Sequence, residues 1–294
     1  MEIYFDNSAT TRVSPEAARR ALELMTEEYG NPSSLHRRGF LAEQALSQAR
    51  GEIARILGAE PEEVAFTSCG SEGNNLAVMG GAMAARRRGN KIVTTAVEHE
   101  SVLAPVRHLS ENGFEAVYLP PRAGGAVDPE EAAAAVDERT VLLSVMHVNS
   151  ETGAVNDLRA IARAARRNNP RLLIHTDCVQ SFGKLPVSPK SWGVDFVTLS
   201  GHKIHAPKGI GALYIRSGLR FPPMILGGGQ ENGLRSGTEA TAQIAAFAAA
   251  AKAGRETMEE DTARMAALKE RAADLLARRV SGLKRIGNGT APHI

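Results

Sequence analysis

The 294-residue sequence predicts an α/β fold: a largely parallel central sheet with helices on both faces. Three observations lead there. Between residues 63 and 215, short Val/Ile/Leu-rich runs alternate with longer segments of helical spacing, the pattern of βα units. The short runs are apolar throughout rather than at every second residue, as in strands buried on both faces. Several of them end in a polar residue, on the edge where open α/β sheets bind ligands.

The elements follow in order. Residues 2–5 form a short strand candidate, followed by a polar turn over 6–11. Ser14-Pro15-Glu16 starts a helix, a capping serine before a proline at the first helical position, and the helix runs to about Glu28. Gly30-Asn31-Pro32-Ser33-Ser34 breaks it, and a second helix reaches Leu57, where Gly58 stops it. A strand over 64–67 leads into Ser68-Cys69-Gly70-Ser71-Glu72-Gly73, which opens a helix ending near Arg88. Strands then fall at 91–97, 114–119, 140–148, 171–176, 194–199 and 212–215. Helices lie between them, ending at Asn112 and starting at Asp128-Pro129, with another over 157–168. Residues 217–237 are glycine-rich. From Thr238 an alanine-rich helical stretch with breaks reaches roughly Val280, and 283–294 reads as a strand, a loop and the start of another element.

Composition narrows the function. Lys+Arg 35 against Asp+Glu 33 leaves a net charge of +2, which gives no reason to expect nucleic acid or a membrane surface. Arg86-Arg87-Arg88 and Arg166-Arg167 sit at helix ends, where cations suit the dipole. Two cysteines, Cys69 and Cys178, suggest no disulfide framework. No apolar leader or membrane-length run is present, so a cytoplasmic protein is expected. His202 and His205 lack a carboxylate or cysteine at ligand spacing, so no metal site is expected.

The strand ends carry the chemistry. Ser71, His99, Asn149, Asp177 and Ser200-Gly201-His202-Lys203 each follow a predicted strand. A lone lysine on a loop is ordinary. At the end of a buried strand, desolvation favours its neutral, nucleophilic amine. A lysine together with an acid for a pyridinium nitrogen fits a pyridoxal 5'-phosphate site. Asp177 supplies the acid, Gly70-Ser71 at a helix start offers amides and a hydroxyl to the phosphate, and His99 could stack on the ring.

Together, residues 4–11, Gly30-Asn31-Pro32-Ser33-Ser34, Glu98-His99, His175-Thr176-Asp177-Cys178-Val179-Gln180, Ser200-Gly201-His202-Lys203 and Arg235-Ser236-Gly237-Thr238-Glu239 resemble the cysteine desulfurases. These are class V aminotransferase-type enzymes of pyridoxal phosphate fold type I, and the likeness is to the iron–sulfur assembly and nitrogen fixation branch. The resemblance implies that Lys203 holds the cofactor and moves the substrate Cα proton. It implies that Asp177 pairs with the ring nitrogen, Gln180 with the ring hydroxyl, and that His99 stacks. Gly70, Ser71, Ser200 and His202 would bind the phosphate, and Asn149 would lie beside the ring hydroxyl and the substrate. Thr238 would reach the phosphate of a partner subunit, implying a homodimer, while Asn7, Asn31 and Arg235 would stand at the mouth. L-cysteine would be the substrate, giving L-alanine, with sulfur passed as an enzyme persulfide to an acceptor or scaffold protein.

The resemblance also implies a division into residues 1–15 with the small domain, 16–240 as the large cofactor-binding domain, and 241–294 as a connecting helix and partial small domain. The family's sulfur-accepting cysteine loop and its carboxylate-binding arginine would fall past Ile294, so a desulfurase truncated at its C-terminal end is expected. Cys178 should turn away from the ring beside Asp177, as a buried hydrophobe. Another class V enzyme, an aminotransferase or selenocysteine lyase, and an inactive cofactor-binding fragment are the alternatives.

Overall fold

A computed structural model describes residues 3–285 and 291–294. Among them, β1 (Val64–Thr67), β2 (Lys91–Thr95), β3 (Glu115–Leu119), β4 (Thr140–Ser144), β5 (Leu173–Asp177), β6 (Phe196–Ser200) and β7 (Gly211–Ile215) form one sheet. The spatial order is β1-β7-β6-β5-β4-β2-β3. From β6 to β3 the strands run parallel, and β7 is antiparallel to both neighbours.

The uniformly apolar strand runs are explained by two cores, one on each face. Leu142 enters one core and Leu143 the other, and Ile92/Val93, Leu173/Ile174 and Phe196/Val197 divide the same way. Adjacent strand residues point to opposite faces, so both positions must be apolar when both faces are covered. Helices α1 (Pro15–Thr26) and α2 (Arg37–Leu57) cover one face. The segment from α3 (Gly70–Asn75) through a π-helical turn to α4 (Gly81–Ala85), then α5 (Glu100–Glu111), covers the other. α6 (Pro129–Ala135), α7 (Leu158–Asn168), the short α8 (Pro189–Trp192) and α9 (Thr241–Arg279) complete the chain. Ile53, Ile161 and Phe247 from α2, α7 and α9 are fully buried in the first core. Each such side chain contributes about 1.5–3 kcal/mol relative to exposure.

Local signals act as read. Ser14 Oγ accepts from Ala17 N at 3.2 Å. Gly58 ends α2 at φ 64°, a conformation that favours glycine.

Four expectations are corrected. Residues 3–5 are not a strand: Ile3, Tyr4 and Phe5 are exposed and have no sheet partner among the described residues. The strand expected over 140–148 stops at Ser144: beyond it only Val145 N and His147 N still donate to β5, at His175 O and Asp177 O, before the chain turns at 149–153 around the Asn149 side chain. The helix after Thr238 starts at Thr241 and runs unbroken for 39 residues, since no proline interrupts it and Gly254 is tolerated. Residues 283–285 are not strand, and the rest of that expected strand lies outside the described residues.

Candidate active site

The parallel strands deliver their C-terminal ends to one cavity of about 460 Å³. Asp177 ends β5, Ser200 ends β6, and the turn Gly201–Lys203 follows directly. Gly201 has to be glycine there: a Cβ would sit 2.8 Å from Ile210 Cγ2 and 3.1 Å from Ala206 Cβ. The starts of α3 and α5 bring Gly70, Ser71 and His99 to the same cavity. Gln180, Ser200, His202 and Lys203 also line it.

Asp177 is buried, and burial pushes its carboxyl above the ordinary value. Hydrogen bonds oppose this: Val179 N–H donates to Oδ1 at 2.8 Å and Asn74 Nδ2 to Oδ2 at 2.7 Å. The charges of His99 and Lys203 favour ionisation too. Lys203 lies below its ordinary value because burial disfavours the ammonium, against the pull of Asp177, Asp6 and Glu151. Its Nζ donates to the Ser8 carbonyl, which also accepts from Gln180 Nε2 at 3.0 Å. Burial, with Lys203, Lys208 and Lys184 nearby, likewise lowers His202.

Three buried polar atoms at the cavity have no partner among the described residues: Ser200 Oγ, Gln180 Oε1 and Asn74 Oδ1. Buried polar atoms are normally paired, so a cluster of unpaired ones marks a place for a polar ligand. Gly70 adds a close-approach position, since a Cβ would meet Val179 Cγ2 at 2.7 Å. A basic amine, a buried carboxyl and a hydroxyl beside bare backbone suit a phosphorylated pyridine aldehyde such as pyridoxal 5'-phosphate.

The aminotransferase class-V family model matches residues 3–292. The chain belongs to this family. Within it, the curated relatives are cysteine desulfurases. Cysteine desulfurase IscS of Photobacterium profundum is 42% identical over 279 residues, covering 93% of this chain and 69% of the relative. A solved NifS-like protein superposes with a TM-score of 0.93 at 38% identity, over 95% of this chain and 76% of that one. A structure titled SspA in complex with cysteine gives a TM-score of 0.82 at 37% identity, over 85% of this chain and 72% of that one. These likenesses identify the chain as a member of the cysteine desulfurases with their fold type I architecture.

Against this desulfurase frame, one residue expected beside the cofactor lies outside the cavity lining. Asn149 does not line it. Its Nδ2 donates to Val97 O at 2.9 Å, and its Oδ1 accepts from Glu151 N and Thr152 N at 3.0 and 2.9 Å. That turn puts Ser150 and Glu151 on the wall instead. Thr238 is exposed and does not line this chain's cavity. Arg235 is bound to Glu72 at 3.0 Å, and Asn31 Oδ1 caps the turn at Ser33 N. Cys178 lies fully buried in the core on the face of α2 and α9, where burial pushes its thiol up to about 12. Cys69 lines the cavity.

Asn74, Ser101, Asp6, Ser8 and Glu151 are among the polar lining residues that sequence reasoning did not assign to the site. Asn74 had a signal: it lies three residues after Ser71 on the same helical segment, hence on the same face.

Proposed function

We propose that this cavity holds pyridoxal 5'-phosphate and removes sulfur from L-cysteine. The observation that carries the reading is the convergence of Lys203 and Asp177 on a cavity whose buried Ser200 Oγ and Gln180 Oε1 have no protein partner. Bound there, the cofactor would supply an electron sink for the pair released at the substrate Cα. Asp177 would hold the ring-nitrogen proton, and Gln180 would meet the ring hydroxyl. Gly70, Ser71, Ser200 and His202 would receive the phosphate. His99 would lie across the ring face.

Lys203 would take the proton at the substrate Cα. Its lowered basicity supports this role, because an amine must lose its own proton before it can accept another. Asn149 would act indirectly, shaping the loop that carries Ser150 and Glu151. Thr238, exposed on one subunit, would complete the phosphate site of a second copy, making the working form a homodimer. Residues 16–240 would form the cofactor-binding unit, with 1–15 and 241–294 belonging to a smaller one. A thiolate, which in the family comes from the C-terminal cysteine loop, would attack the substrate sulfur. The S–S bond of a persulfide forms as the C–S bond breaks, its electron pair takes a proton at Cβ to leave alanine, and the persulfide sulfur would pass to an acceptor protein, in iron–sulfur assembly in the cytoplasm.

The test is spectroscopic and chemical. Purified chain mixed with the cofactor should develop a visible absorption band that Lys203→Ala lacks, and cysteine should then yield alanine, with sulfide released when excess dithiothreitol is present to accept the sulfur as a persulfide and reduce it. A band that persists in Lys203→Ala refutes the lysine assignment. A band without alanine formation refutes the reaction.

A further inference from the structure

His99 and Asp177 approach the cavity from different elements, the start of α5 and the end of β5, yet one side chain joins them. Asn74 is fully buried on α3, in the wall of the cavity. Its Nδ2 donates to Asp177 Oδ2 at 2.7 Å and to Ser101 Oγ at 2.8 Å. Ser101 Oγ lies 2.7 Å from His99 Nδ1, and Ser101 N–H donates to the same nitrogen at 3.1 Å.

The donor inventory gives this chain one direction. A backbone N–H can only donate, so His99 Nδ1 is the acceptor and carries no proton. Ser101 Oγ already accepts from Asn74, so its own proton is the one directed at Nδ1. The Asp177 carboxylate only accepts, so the nitrogen end of the Asn74 amide must face it. Both amide protons of Asn74 are thereby committed, one to each branch. The cost is visible: Asn74 Oδ1 is buried without a partner. An orientation that leaves a buried carbonyl unpaired is held by what the nitrogen does.

We infer that Asn74, acting through the Ser101 hydroxyl, is a positioning residue: it adds a second donor to the Ser101 N–H that holds His99 as the Nε2–H tautomer, while the same amide nitrogen holds the Asp177 carboxylate. The inference deepens the cofactor reading, because it states how the group across the ring face and the group at the ring nitrogen are set together. His99 then offers the site a proton donor at Nε2 only.

The experiment separates the two readings. The imidazole ¹⁵N shifts of His99 are recorded on the full chain without cofactor, at a pH where the ring is neutral. The expected result is one protonated and one unprotonated nitrogen, with Nδ1 unprotonated. Ser101→Ala, which removes the hydroxyl link and keeps the backbone N–H, should draw the two shifts part of the way toward each other, and Ser101→Thr, which keeps the hydroxyl, should restore them. Asn74→Ala should produce the same drift and also weaken pyridoxal phosphate binding about tenfold, as loss of a hydrogen bond to a charged group does. An Nδ1–H tautomer in the unaltered chain, or shifts indifferent to both Ser101→Ala and Asn74→Ala, overturns the relay and leaves the cofactor assignment untouched. Correct shifts in a chain that never binds the cofactor overturn the assignment and leave the relay standing.

Discussion

Two buried aspartates serve the same sheet in opposite ways. Asp195 lies just before β6, at the edge away from the cavity, and Asp177 ends the neighbouring β5 at the cavity. Asp195 is fully buried and accepts from Arg166 Nη2 at 2.7 Å, Arg216 Nε at 2.6 Å and Ile174 N at 2.7 Å. Two guanidiniums and an amide meet its charge by contact. Asp177 is met by neutral partners, Val179 N–H and the Asn74 amide, while Lys203 and His99 act on it from further off. The first carboxylate is closed in by charged partners, and the second, at the cavity, is the one that the proposed ring nitrogen would meet.

The comparison breaks most visibly in activity. Lys203→Ala removes the amine proposed to move the proton, and the loss should be roughly 10²–10⁴-fold in turnover. Asp177→Asn, with the same shape and no charge, should cost about 10²–10³-fold, the range for one preorganised electrostatic group. Both variants should melt close to the unaltered chain. A collapse of the fold in Asp177→Asn would place this residue in the same class as Asp195.

Asp195→Ala should do the reverse. It leaves Arg166 with an unpaired charge behind it and should destabilise the fold by about 3–5 kcal/mol. The shift in urea midpoint measures that loss. Cofactor affinity below the transition should stay unchanged, and a selective loss of affinity would show the two edges to be coupled.

A pH series sharpens the contrast further. Glu98 is buried beside Asp177, and burial, with the Asp177 charge adding to it, pushes its carboxyl from 4.5 up to about 8. Hydrogen bonds from Met146 N and Thr95 Oγ1, both 2.8 Å, oppose the rise without cancelling it. A raised carboxyl binds its proton more tightly in the folded state, so stability is greatest below the unfolded value and falls as pH climbs toward 8. Asp177, also raised, acts in the same direction. Glu98→Gln cannot titrate and should flatten the decline between pH 4.5 and 8, read from urea midpoints across that window. An unchanged slope would show that Glu98 is ionised throughout.

How much of this was legible in the sequence depends on how local the cause is. Asp177, Ser200 and Lys203 each close a short apolar run, so strand periodicity alone put them at the ligand-binding edge. Gly70-Ser71 announced a helix start by its chemistry. Asn74 carried only the signal of its helical spacing from Ser71; its bond to Asp177, 103 residues away in sequence, exists only once the fold brings the two together. Asn149 misled in the opposite sense: it stands after an apolar run, but its amide is occupied by the turn it creates. The Asp195 cluster was invisible for the same reason as the bond between Asn74 and Asp177. Arg166 read as a helix-end cation, and nothing local joined it to an aspartate 29 residues on. A strand at 3–5 failed because a strand needs a neighbour, which no run of apolar residues can guarantee.

The smallest effect tests whether Asp195 needs both of its guanidiniums. Arg216 is about half exposed (side-chain accessibility 51%) where Arg166 is at 28%, so water already screens the Arg216 contact. Arg216→Gln leaves Asp195 with Arg166 and the Ile174 amide, and exposed pairs of this kind are worth about 0–1 kcal/mol. Arg166→Gln removes the better-buried partner, whose guanidinium also donates to the Gly193 carbonyl, and should cost more. Thermal melts of the two variants side by side decide the order. If Arg216→Gln is the worse, the exposed arginine carries the charge balance at this edge, and the edge is less closed than the burial of Asp195 implies.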